Sequence, residues 1–180
     1  MPNVNQITMM PNFQTPGQYA SLVQTITQYA DVTLAPIAPS TTVIGSQLPT
    51  TMSPTNPLTI VVNGDLDLLS WHHSGYGLLL VTGNLNYDPD ASWYGIVLVI
   101  GKGTMTGSRS GSGEFDGTFL LVQTLDPSTG YTTLLPSLGQ SRMSFAPTMG
   151  SIGIYYSTCW IQNALPTSGY KVLSFHEISQ

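Results

Sequence analysis

Charge is scarce in this chain: Asp, Glu, Lys and Arg together make up 7% of its 180 residues, against about 25% in an ordinary soluble domain. The four basic residues, Lys102, Arg109, Arg142 and Lys171, are scattered, and nine acidic residues give a net charge of -5. Nucleic acid is met by clustered Lys and Arg, so this balance argues against it as a partner. A polybasic contact with anionic lipid falls on the same ground. Cysteine is nearly absent. The lone Cys159 excludes an internal disulfide and a cysteine-based zinc cluster, and is expected as a small buried apolar residue. Long hydrophobic runs are missing too, and none reaches the roughly 18 to 20 apolar residues of a spanning helix. The start, Met1-Pro2-Asn3-Val4-Asn5-Gln6, lacks the basic opening and apolar run of a secretion signal.

Ser, Thr, Gly, Asn and Gln replace the missing charge and solvate the surface. Hydrophobic residues reach 41%, gathered into strand-like runs. Such runs offset the entropy of ordering, so the chain is expected to fold as one domain with a sizeable core. Residues 1 to 57 are read as an extended lead-in, a helix over 15–31 and a Pro/Ser/Thr-rich loop. Thr15 can N-cap that helix, Pro16 suits its first position and Gln18 completes a capping box. Tyr19, Leu22, Val23, Ile26 and Ala30 form one apolar stripe.

Residues 58 to 123 repeat themselves. Apolar runs recur at Leu58 to Val62, Leu78 to Val81, Ile96 to Ile100 and Phe119 to Val122. With Val62, Val81, Val99 and Val122 as markers, the spacings are 19, 18 and 23. Gly75-Tyr76-Gly77, Trp93-Tyr94-Gly95 and Phe115-Asp116-Gly117 open three of the runs, and a Gly followed by a short alternating strand closes each of the first three. A period near 20 in strand-length units predicts a short, mainly β solenoid (β-helix-like) of roughly four coils. The continuous runs suit parallel strands buried on both faces. The segment Gly107 to Gly113 is read as an excursion that lengthens the last spacing. Residues 124 to 180 are read as a loop followed by a cap: a strand over 152–156, a helix over 158–165 and a final strand over 170–178. With the N-terminal amphipathic helix, this strand-helix-strand unit would close the solenoid's open ends.

The strings Ile60-Val61-Val62-Asn63-Gly64-Asp65-Leu66, Gly75 to Leu85 and Trp93 to Gly101, with Tyr155-Tyr156-Ser157-Thr158-Cys159, Asn163-Ala164-Leu165 and Tyr170 to Ile178, resemble the C-terminal region of bacterial PilX-type pilus-assembly proteins. Together with the helix around Leu22 to Asp31, the resemblance covers most of residues 17 to 180. It implies a non-catalytic role in a type IV pilus-like filament, with protein partners in a surface or envelope complex. The anchoring segment of such proteins is not in this sequence. The expectation is therefore the soluble part of a longer precursor at the cell envelope, with a cytoplasmic protein as the alternative.

Candidate chemistry is thin. Asp65 and Asp67 lie two apart on one strand face, and Asp88 and Asp90 flank Pro89 in a turn. Paired carboxylates can bind calcium or act on glycans. With only Lys102 and Arg109 near in sequence, the plainer reading is solvated strand and turn carboxylates. The adjacent His72 and His73 point to opposite faces of a strand and make a poor metal pair. Gly101-Lys102-Gly103-Thr104 misses the phosphate-loop spacing, and there is no Gly-x-Ser-x-Gly elbow. No catalytic residue, resident metal or cofactor is therefore expected. Tyr76, Trp93, Tyr94 and Phe115 recur at like points of successive coils. They are core if they face inward, and an interaction surface for protein or sugar if they face outward. The leading functional expectation is a structural or interaction module of a pilus-like or cell-surface assembly. The alternatives are a carbohydrate-binding or carbohydrate-active β-helix, and a self-polymerising solenoid of the bactofilin kind.

Overall fold

The computed structural model describes residues 13–107, 111–145 and 153–165. Helix α1 (Pro16–Gln28) leads into β1 (Val32–Leu34) and β2 (Thr42–Ile44). Then come β3 (Leu58–Val62), β4 (Asp65–Asp67), β5 (Ser74–Val81), β6 (Asn84–Asn86), β7 (Ser92–Gly101), β8 (Thr104–Gly107) and β9 (Glu114–Gln123). β10 (Arg142–Phe145), β11 (Gly153–Tyr156) and α2 (Thr158–Ala164) complete the described chain. Odd-numbered strands form a six-stranded sheet in the order β1-β3-β5-β7-β9-β11, and even-numbered strands a five-stranded sheet, β10-β8-β6-β4-β2. Every ladder is parallel. The chain is thus a short β-solenoid in which each coil gives one strand to each sheet.

The aliphatic runs sort by parity. Ile60, Val62, Leu79, Val81, Val97 and Val99 point into the solenoid, against Val43, Leu66, Leu85 and Met105 of the smaller sheet. Val61, Leu78, Leu80, Ile96, Leu98, Ile100 and Val122 point the other way, into a second apolar cluster with Tyr19 and Ile26 of α1 and Ala164 of α2. The aliphatic runs of β3, β5 and β7 are therefore buried on both faces of the larger sheet, as such continuous runs require. Helix α1 starts as its sequence predicts: Gln18 N–H donates to the Thr15 side chain and Thr15 N–H to Gln18 Oε1.

Three expectations need correction. Val99 pairs with Leu121, and Val122 with Ile100, so the last coil is 22 residues rather than 23. The difference matters because a one-residue slip exchanges the inner and outer faces of a strand. Second, the coils extend beyond 58–123: β1 and β2 add a rung in front, β10 completes the coil that β9 opens, and β11 opens another, in segments read as loop or cap. Third, Cys159 is exposed on α2. Helix α2 and the strand before it lie close to their predicted positions, whereas the strand expected over 170–178 lies outside the described residues.

Candidate functional site

The aromatic positions divide between the two faces of the larger sheet. Register sets Trp93 beside Gly75 and Phe115, and Tyr94 beside Tyr76 and Asp116. Trp93 and Phe115 are 0% and 3% exposed and belong to the interior, where Trp93 also meets Trp71 and its indole N–H donates to Gly77 O at 3.1 Å. Gly75 leaves the space that the Trp93 ring fills. Tyr76 and Tyr94 are on the outer face, stacked with ring centroids 5.1 Å apart, and Trp160 of α2 leans on both. Offset ring contacts of this kind add roughly 0.5 to 1.5 kcal/mol beyond area burial. The outer pair therefore holds the C-terminal helix to the sheet and is half-buried by it.

Tyr94 donates a hydrogen bond to Glu114 Oε1 of the next coil. That bond, then burial, then the charge of Glu114 push the Tyr94 phenol up to about 12. The buried Tyr87 hydroxyl donates to Ala91 O, and its phenol is raised further, by burial first and by the negative charge of Asp88 second.

On the smaller sheet the outward positions form two ladders, polar except at Ile44: Thr42, Asp65, Asn84, Thr104 and Arg142 on one line, and Ile44, Asp67, Asn86, Thr106 and Ser144 on the next. Asp65 accepts from Asn84 N–H at 2.7 Å and pairs with Lys102 Nζ at 2.8 Å. Asp67 accepts from Leu69 N–H at 2.9 Å and from Asn86 Nδ2 at 3.4 Å. Both carboxylates thus join one coil to the next. Lys102 also lies over the Tyr131 ring, beside a polar pocket of about 280 Å³ lined by Lys102, Thr104, Gln123, Tyr131, Gln140 and Arg142 among others.

Asp88 departs from the solvated turn carboxylate expected of it. It is 1% exposed, and Asp90 N–H donates to its Oδ1 at 2.9 Å. His72 Nε2 stands 3.1 Å from its Oδ2. His72, Asp88 and Asp90 bring one ligand-type atom each within 4.8 Å of one another. The sequence carries the signal: counting back two residues from the paired Ser74 and Ser92 aligns His72 with Asp90. The sequence neighbour His73 is not among these groups; the companions of His72 lie on the following turn.

At the far edge of the larger sheet, β11 pairs with β9 on one side, and among the described residues no strand pairs on its other side. Ile154, Tyr155 and Tyr156 there are 47%, 57% and 75% exposed. No family model matches this chain, and neither a characterised protein nor a solved structure is significantly similar to it.

Proposed function

We propose that this chain is a non-catalytic structural and interaction module of a pilus-like or other cell-surface assembly, docking neighbours through its terminal strand edge. The observation that carries the reading is β11, the outermost strand of the larger sheet among the described residues, with three consecutive exposed apolar or aromatic residues. An edge of this kind is a template for strand addition. The carboxylates that a β-helix acting on polysaccharide would use also support it, because Asp65 and Asp67 are engaged in coil-to-coil hydrogen bonds. A photo-crosslinking residue at Tyr155 is expected to give discrete adducts with components of a surface filament, and Tyr155→Lys to abolish assembly. Assembly unchanged by Tyr155→Lys would contradict the reading, and adducts only between copies of the chain would favour a self-polymerising solenoid.

A second reading has its own observation. The pocket beside Lys102, itself paired with Asp65, combines the Arg142 guanidinium, side-chain amides and the face of Tyr131, a lining suited to a carboxylate-bearing sugar. Binding of acidic oligosaccharides on a glycan array, lost in Arg142→Ala, would support it, and an array without binding would remove it.

A further inference from the structure

Asp88 Oδ2 is a buried oxygen without a hydrogen-bond partner, in a residue 1% exposed. Leaving an ionised carboxylate buried and incompletely paired is expensive. Its second oxygen, Oδ1, is held by Asp90 N–H, which aims Oδ2 away from the turn. The imidazole Nε2 of His72 stands 3.1 Å off, outside the alignment of a hydrogen bond. Asp90 in turn is steadied by Ser112 N–H, which donates to its Oδ1 at 3.2 Å, while Gly113 N–H donates to Pro89 O at 2.7 Å. Three successive corners of the solenoid therefore converge here: the one before β5, the one before β7 and the one before β9.

We infer that His72, Asp88 and Asp90 form a binding site for a divalent transition-metal ion of the zinc class. Zinc takes imidazole nitrogen and carboxylate oxygen at roughly 2.0 to 2.2 Å, so two ligand atoms on one ion lie roughly 3.3 Å apart in a tetrahedron and roughly 2.9 Å apart in an octahedron. The 3.1 Å between Nε2 and Oδ2 falls between these. All three atoms lie within 4.8 Å of one another, and closing the remaining gap requires exposed Asp90 to exchange its bond from Ser112 N–H for the ion. One nitrogen with two carboxylates favours zinc or its neighbours over calcium, which takes six to eight oxygens. Three protein ligands leave the fourth position to water or to a group from a partner. Bound there, the ion neutralises the buried charge of Asp88 and ties the corner before β5 to the corner before β7. The rival is a plain ion pair between protonated His72 and Asp88.

Isothermal titration of the chelator-stripped full chain with zinc chloride, and separately with calcium chloride, tests the site. The expected result is saturable binding of zinc at one ion per chain, weakened at least roughly tenfold in His72→Ala and in Asp90→Asn and unchanged in His73→Ala. Both side chains are exposed, and far-UV circular dichroism checks that each variant is folded before it is titrated. Zinc should also raise the melting temperature of the wild type and not of His72→Ala. Absence of saturable zinc binding, equal binding by His72→Ala, or calcium binding as tight as zinc would each overturn the inference.

Discussion

Gly95 shows how one position can set a strand's course. Gly77, Gly95 and Gly117 pair in register, and Gly95 and Gly117 have φ of 141° and 148°. A Cβ on Gly95 would collide with the carbonyl oxygen of Gly77 on the neighbouring strand. Gly95→Ala is therefore expected to destabilise by about 3 kcal/mol, through backbone strain and a clash that a rigid ladder cannot relieve; urea unfolding measures it. Tyr94 gives a second test at this scale. Its phenol holds its proton more tightly in the folded chain than in the unfolded one, where the ordinary value is 10.0. The stability it contributes is intact below pH 10 and is lost as pH rises through about 12. Alkaline unfolding is thus expected to show a Tyr94-dependent loss in that window, absent in Tyr94→Phe.

At the scale of elements, the two helices seal the outer face of the larger sheet. Removing the α1 cap by Thr15→Ala is expected to lower stability by about 1 kcal/mol. Trp160→Ala, which uncovers the Tyr76–Tyr94 pair, should lower it by about 2 kcal/mol. Thermal melts of the two variants should separate them in that order. The elements legible in the sequence were α1 from its capping box and stripe, β3, β5, β7 and β9 from their aliphatic runs, β4, β6 and β8 from the Gly-led alternation after those runs, and β11 and α2 beyond them. β1, β2 and β10 were not, because they lie outside that repeated grammar: Thr41 and Ser141 stand where Gly64, Gly83 and Gly103 lead into β4, β6 and β8. A fainter signal was available: Thr42-Val43-Ile44 and Arg142-Met143-Ser144 both centre an apolar residue where Asp65-Leu66-Asp67 and Asn84-Leu85-Asn86 do. The candidate cation site was half legible, since Asp88 and Asp90 stand out in the chain but His72 joins them only through the stacking of consecutive corners.

At the scale of the whole molecule, the parallel stacking of coils is what makes every other feature. It lines up the aromatics, turns Asp65 and Asp67 into ties between coils, gathers three corners around Asp88 and, among the described residues, leaves β11 outermost in the larger sheet. Paired cysteines on the outward face of β6 and β8 test that stacking directly, in a Cys159→Ser background. Parallel neighbours about 4.8 Å apart lie within the Cα separation of a disulfide, whereas diagonal neighbours do not. Under mild oxidation, Asn84→Cys with Thr104→Cys and Asn86→Cys with Thr106→Cys should cross-link, because those residues are register partners. Cross-linking instead between positions 84 and 106 and between 86 and 104 would mean antiparallel pairing and would contradict the solenoid.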